Sequence, residues 1–110
     1  MILLTHETPI LLGIAPEDFR KGIDGFVALC EYGLLQEPRN GTVFVFINRA
    51  KTMIRALSYD GTGYWLMSKR LSRGKFTGWP DAQCAVSKTS ARELRIILSG
   101  AAWASPDSTA

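Results

Sequence analysis

Residues 42–71 constrain the fold of this chain more than any other stretch. Two runs, TVFVFINR (42–49) and TMIRALSY (52–59), are dense in β-branched and aromatic side chains, and the polar break Arg49-Ala50-Lys51 separates them. Asp60-Gly61-Thr62-Gly63 follows, and then YWLMSKRL (64–71). Asp-Gly between two strand-like runs is a hairpin signal, because glycine accepts the positive φ that the tight turn requires. The three runs therefore predict three consecutive antiparallel strands. A phosphate-cradling loop would need a strand leading through the glycines into a helix whose N-terminus faces the anion, and the run from Tyr64 has strand composition instead.

The flanks supply the rest of a small domain. Ile10 to Ile14 reads as a short apolar strand. Pro16, Glu17 and Asp18 suit the first turn of a helix, and the apolar spacing Phe19, Ile23, Phe26, Val27 and Cys30 predicts one helical face that ends near Gly33. Gly22 and Gly25 inside that helix imply the close approach of another backbone, or a contact that a side chain would block. GLLQEPRNG (33–41) is a connection. Cys84 to Val86 reads as a further short strand. Ser90 and Glu93 have capping-box spacing, Leu94, Ile97, Leu98 and Ala101 share the apolar face of a second helix, and Gly100 stops it. Trp103 is expected to fold back onto the core, and residues 104–110 read as a disordered tail. The expected architecture is α+β: one domain over residues 1–103, an antiparallel β-meander sheet of about four or five strands with two packed α-helices.

Composition excludes several function classes. The 110 residues are 46% hydrophobic and 21% charged, ordinary for one globular domain. The apolar runs are far shorter than the ~20 residues of a membrane-spanning helix, and the N-terminus lacks the basic region and cleavage site of a secretory signal, so the expected location is the cytoplasm. Cys30 and Cys84 have no second Cys or His at zinc-ligand spacing and read as structural thiols, and His6 is the one histidine. No metal, cofactor or catalytic residue is expected. Acids such as Asp18, Asp24, Asp60 and Asp81 fall on a helix, a turn and loops, without the convergent spacing that a metal-dependent nuclease or transposase needs.

Charge is the informative quantity. The chain carries a net +3, yet residues 39–75 hold eight cations and one acid, a local +7, against −4 for everything else. Clustered Lys and Arg gain affinity for a polyanion by displacing its counterions, so Arg49, Lys51, Arg55, Lys69, Arg70, Arg73 and Lys75 are candidate nucleic-acid contacts. A solvated sheet face gives the same composition. Tyr64, Trp65, Phe76 and Trp79 are candidate stacking residues, although at least two of these four belong in a core. Alternation along 64–71 sets Tyr64, Leu66, Ser68 and Arg70 against Trp65, Met67, Lys69 and Leu71, so neither face is cleanly polar.

Several blocks together carry a family resemblance. DFRKGIDGF (18–26), GTVFVFIN (41–48), YDGTGYWL (59–66), Lys69-Arg70-Leu71, Gly74-Lys75-Phe76, Trp79-Pro80, and Leu94, Leu98, Ser99-Gly100 and Trp103 occur in order over residues 10–103. They closely resemble the accessory protein encoded by the second reading frame of the insertion-sequence-66 class, called TnpB or Orf-two-like. The RNA-guided nuclease that shares the name TnpB is unrelated. The resemblance implies a non-enzymatic bacterial protein that acts beside a separate transposase in DNA transposition and recombination. Its expected partners are DNA and the transposase subunit, with no membrane. The alternative is an adaptor that docks on the transposase without touching DNA, through a charged patch of Asp18, Arg20, Lys21 and Asp24.

Overall fold

The computed structural model describes residues 4–81 and 83–100. Its centre is β2 (Val43–Ile47), all five residues of which are buried. Alternation on this strand divides the core in two. Val43, Val45 and Ile47 join one apolar cluster, whereas Phe44 and Phe46 join another on the opposite face. A strand that is apolar at every position must be covered on both sides, and this one is.

β3 (Met53–Tyr59) and β4 (Tyr64–Arg70) continue from β2 as the predicted meander, with Phe44 opposite Leu57 and Tyr59 opposite Tyr64. Asp60 closes the hairpin between them. Its Oδ1 accepts from the backbone N–H groups of Thr62 and Gly63 and from the Thr62 hydroxyl, and Gly61 takes φ +98°.

The other half of the sheet differs from a meander. The order is β4-β3-β2-β1-β5, and β1 (Ile10–Gly13) runs parallel to β2. The sheet is therefore mixed, because the helical segment between β1 and β2 carries the chain back to the end from which β1 started. β5 (Val86–Thr89) lies antiparallel on the far side of β1; it overlaps the predicted Cys84–Val86 at Val86 alone, starting two residues later and ending three later.

The first helix is shorter than its apolar spacing predicts. α1 spans Ile23–Ala28 and passes into a π-helical turn, Leu29–Gly33. Residues 17–21 are not helical because their backbone groups are taken elsewhere. The Glu17 N–H donates to the Ile47 carbonyl at 2.9 Å, the Arg20 N–H donates to the Asp18 carboxylate, and Arg55 reaches the carbonyls of Phe19 and Lys21. Gly22 consequently precedes α1 with open space around it, and a Cβ on Gly25 would meet the Lys21 side chain at 2.6 Å. Gly25 thus admits a local side chain, and neither glycine marks the approach of another backbone.

α2 (Ala91–Ser99) matches its prediction. Ser90 and Glu93 form the reciprocal capping box, and Gly100 ends the helix at φ +68°. Ala91, Leu94 and Ile97 pack with β2 on the face opposite Phe26 and Cys30. The domain is thus an α+β sandwich of helix, five-stranded sheet and helix. Ala101, Trp103 and the 104–110 tail lie outside the described residues.

Candidate nucleic-acid interface

The end of the sheet where β2 stops and β3 begins is built around Asn48. Its Oδ1 accepts the N–H groups of Thr52 and Met53 at 2.9 and 3.1 Å, and its Nδ2 donates to the Thr52 hydroxyl. The Lys51 N–H donates to the Asn48 carbonyl, and Lys51 itself is held at φ +62°. A non-glycine residue in the left-handed region persists only where its surroundings fix it. This fixed turn exposes Arg49 and Lys51.

The end of β4 and the loop after it bring three more cations to the same end. Arg70 pairs with Met53 at the top of the β3–β4 ladder, and the Leu71 N–H donates to the Thr52 carbonyl. The following loop turns through Gly74, at φ +77°, and returns to the β2–β3 turn, where the Phe76 N–H donates to the Lys51 carbonyl at 2.8 Å. The Phe76 ring enters the α2-side core, 2% exposed. Arg73 and Lys75 ride on this anchored loop. Arg49, Lys51, Arg70, Arg73 and Lys75 are all exposed, and among the described residues none of the five side chains makes an ion pair or hydrogen bond.

The remaining cations of the basic segment have structural partners. Arg55 is half-buried beneath the lead-in to α1. It donates Nη1 to the Phe19 carbonyl at 2.6 Å and Nε to the Ser68 hydroxyl at 2.7 Å, with its guanidinium 5.0 Å from the Phe19 ring. Lys69 points to the α2 face and donates to the Leu98 carbonyl at 2.7 Å, one of the acceptors left open at a helix C-terminus. Arg39 lies at the far end of the sheet, over Tyr59 and beside the Tyr64 hydroxyl.

The four aromatic candidates do not form one stacking surface. Phe76 is core and offers no face to a base. Trp79 is half-buried and donates Nε1 to the Gly13 carbonyl at 3.2 Å. Tyr64 packs against Tyr59 at the hairpin end, 5.0 Å between ring centres. Trp65 is 46% exposed and donates Nε1 to Asp60 Oδ2 at 2.8 Å, at that same distant end. Of the three rings outside the core, Trp79 is the one beside the five cations, where it shares a cleft with Lys51.

The charged patch before α1 is largely satisfied internally. Asp18 and Arg20 form an ion pair at 2.7 Å, and that hydrogen bond holds the Asp18 carboxyl at about 2, well below its ordinary range. Lys21 bonds Glu17 at 3.2 Å and lies over Phe26. Asp24 is exposed in the first turn of α1. Sequence reasoning passed over a different surface feature: Tyr32 and Leu35, 80% and 81% exposed, with Leu35 at φ +54°. No periodicity marks them, because their exposure follows from the π-helical turn.

No described helix is long and apolar enough to cross a membrane, and no cluster of three or more His, Cys, Asp or Glu occurs among the described residues. Comparison with known proteins places the chain. No solved structure matches it. Two proteins of Sinorhizobium fredii (strain NBRC 101917 / NGR234), described as uncharacterized proteins y4jC and y4hO, are each 34% identical to it. The first match covers 94 residues, 86% of this chain and 80% of the relative, and the second covers 92 residues, 84% and 79%. The family model for the IS66 Orf2 like protein matches residues 8–108, so this chain belongs to that family of insertion-sequence proteins.

Proposed function

We propose that the protein is a non-catalytic accessory factor of transposition that binds DNA through Arg49, Lys51, Arg70, Arg73 and Lys75, while a separate transposase supplies the cutting and joining chemistry. One observation carries this reading: five exposed cations, from the β2–β3 turn, the end of β4 and the loop after it, meet at one end of the sheet with no carboxylate bonded to them. Cations without internal partners are the ones available to phosphates, and such contacts position a protein on DNA without reading its sequence. The acids favour the same division of labour, since Asp60 is bound within its hairpin and Asp18 is bound to Arg20. A mobility-shift assay with duplexes of element-end and random sequence tests it. Retardation of both, weakened by Arg73→Ala/Lys75→Ala, is expected; no retardation of either at low salt refutes the reading.

A second reading, docking on the transposase, is favoured by Tyr32 and Leu35. Left-handed backbone costs a leucine ~1 kcal/mol or more, and here the strained residue displays its side chain to solvent between Glu31 and Glu37, both exposed. An apolar pocket with a basic rim on the transposase is the complementary surface. Pull-down of the transposase without DNA, lost in Tyr32→Ser/Leu35→Ser, is the expected result.

A further inference from the structure

Five cations account for phosphates and leave the neighbouring cleft unexplained. It opens where the parallel strands β1 and β2 end, with a volume of about 640 Å³, within the ~300–1,000 Å³ of small-molecule sites. Ile14, Pro16, Ile47 and Trp79 line it, and Lys51 stands at its boundary with the basic end of the sheet. In open α/β sheets ligands bind in crevices outside the carboxyl ends of the strands, and the parallel pair β1–β2 offers that position here.

We infer that this cleft takes a single unstacked nucleobase, so that the protein engages DNA where a base has left the helix. The inference rests on the DNA-binding reading and names which DNA it prefers. The walls suit a base better than a phosphate: they are mainly apolar, and the cation Lys51 is matched by an acid, Asp81. Trp79 packs against the α2-side core, and its Nε1 bond to Gly13 fixes the indole beside the cavity. An aromatic ring held in place is a stacking platform that tolerates any base. Asp81 and Gln83 supply a carboxylate and an amide within reach of a base edge. Lys51 serves both surfaces, because it lines the cleft, shares the Asn48 turn with Arg49 and accepts, at its carbonyl, from the loop that carries Arg73 and Lys75. The phosphate of the extruded nucleotide meets Lys51, and the flanking backbone continues onto Arg49, Arg73 and Lys75.

The test compares a blunt duplex with the same duplex carrying one unpaired 2-aminopurine, at one salt concentration, by anisotropy and by the emission of the modified base. Expected are an affinity about tenfold higher for the bulged duplex, in line with the stacking of one base, and quenching of 2-aminopurine on binding. Ala15→Trp, which places a large ring in the cleft and replaces none of the five cations, is expected to remove both effects. Equal affinities with unchanged emission overturn the cleft assignment and leave duplex binding standing. So does a bulge preference that survives in Ala15→Trp, since the preference then comes from DNA flexibility. Failure to bind either duplex overturns both readings together.

Discussion

The backbone N–H of Phe76 donates to the carbonyl of Lys51 across 2.8 Å, and the Phe76 ring is buried against α2. This one link ties the loop carrying Arg73 and Lys75 to the turn carrying Arg49 and Lys51. Phe76→Ala is expected to destabilise the fold by ~3–5 kcal/mol, the usual cost of emptying a phenylalanine site. Phe76→Leu keeps most of the buried volume and is expected to retain both fold and DNA affinity. Chemical denaturation and anisotropy on both variants check this.

Arg55 and Arg49 separate structure from binding. Arg55→Met leaves the carbonyls of Phe19 and Lys21 without their donor, a loss of ~2–3 kcal/mol. Folded Arg55→Met protein is expected to bind DNA as the parent does. Arg49→Met is expected to do the reverse: a melting curve within about 0.5 kcal/mol of the parent, as for surface substitutions generally, and weaker DNA binding. Paired melting and binding curves check both.

Acid is expected to loosen the hairpin and the lead-in to α1. Hydrogen bonds, from the Thr62 backbone first and then from Trp65, depress the Asp60 carboxyl, and the Arg20 side chain depresses Asp18 from 3.8 to about 2. Folded values below unfolded ones mean that both groups stabilise the fold fully above their unfolded values, and that this contribution disappears as pH falls through the folded ones. The melting temperature should therefore fall below about pH 4, with Asp18 giving up its share by about pH 2. Asp60→Asn should flatten part of that fall. Scanning calorimetry against pH, parent beside variant, checks it.

The two cysteines should react unequally. Burial pushes the Cys30 thiol up to about 12, whereas Cys84 is exposed. The thiolate is the nucleophile, so a thiol reagent should modify one cysteine per native chain, Cys84, and both after unfolding. Peptide mapping of the labelled protein checks it.

What the sequence discloses divides along the reach of each interaction. The Asp60 hairpin, the Ser90–Glu93 capping box and the strand β2 all follow from chemistry within a few residues, and each was legible. The parallel β1–β2 pairing and the late start of α1 were not. They depend on contacts between distant residues, Glu17 with Ile47 and Arg55 with Phe19, which override the helical spacing of 16–22. The site behaves likewise. A basic segment was visible, but which cations gather depends on the return of Phe76 to Lys51 and on the partners that occupy Arg55 and Lys69. The exposure of Leu35 needed the backbone itself, because a leucine in sequence reads as core.

The salt dependence of DNA binding tests the central claim most directly. If the five cations each meet a phosphate on a duplex, the logarithm of affinity falls against the logarithm of salt with a slope of about −4.5, and Arg73→Ala/Lys75→Ala makes that slope shallower by about 1.8. A slope near zero, or one that these two substitutions leave unchanged, would contradict the account.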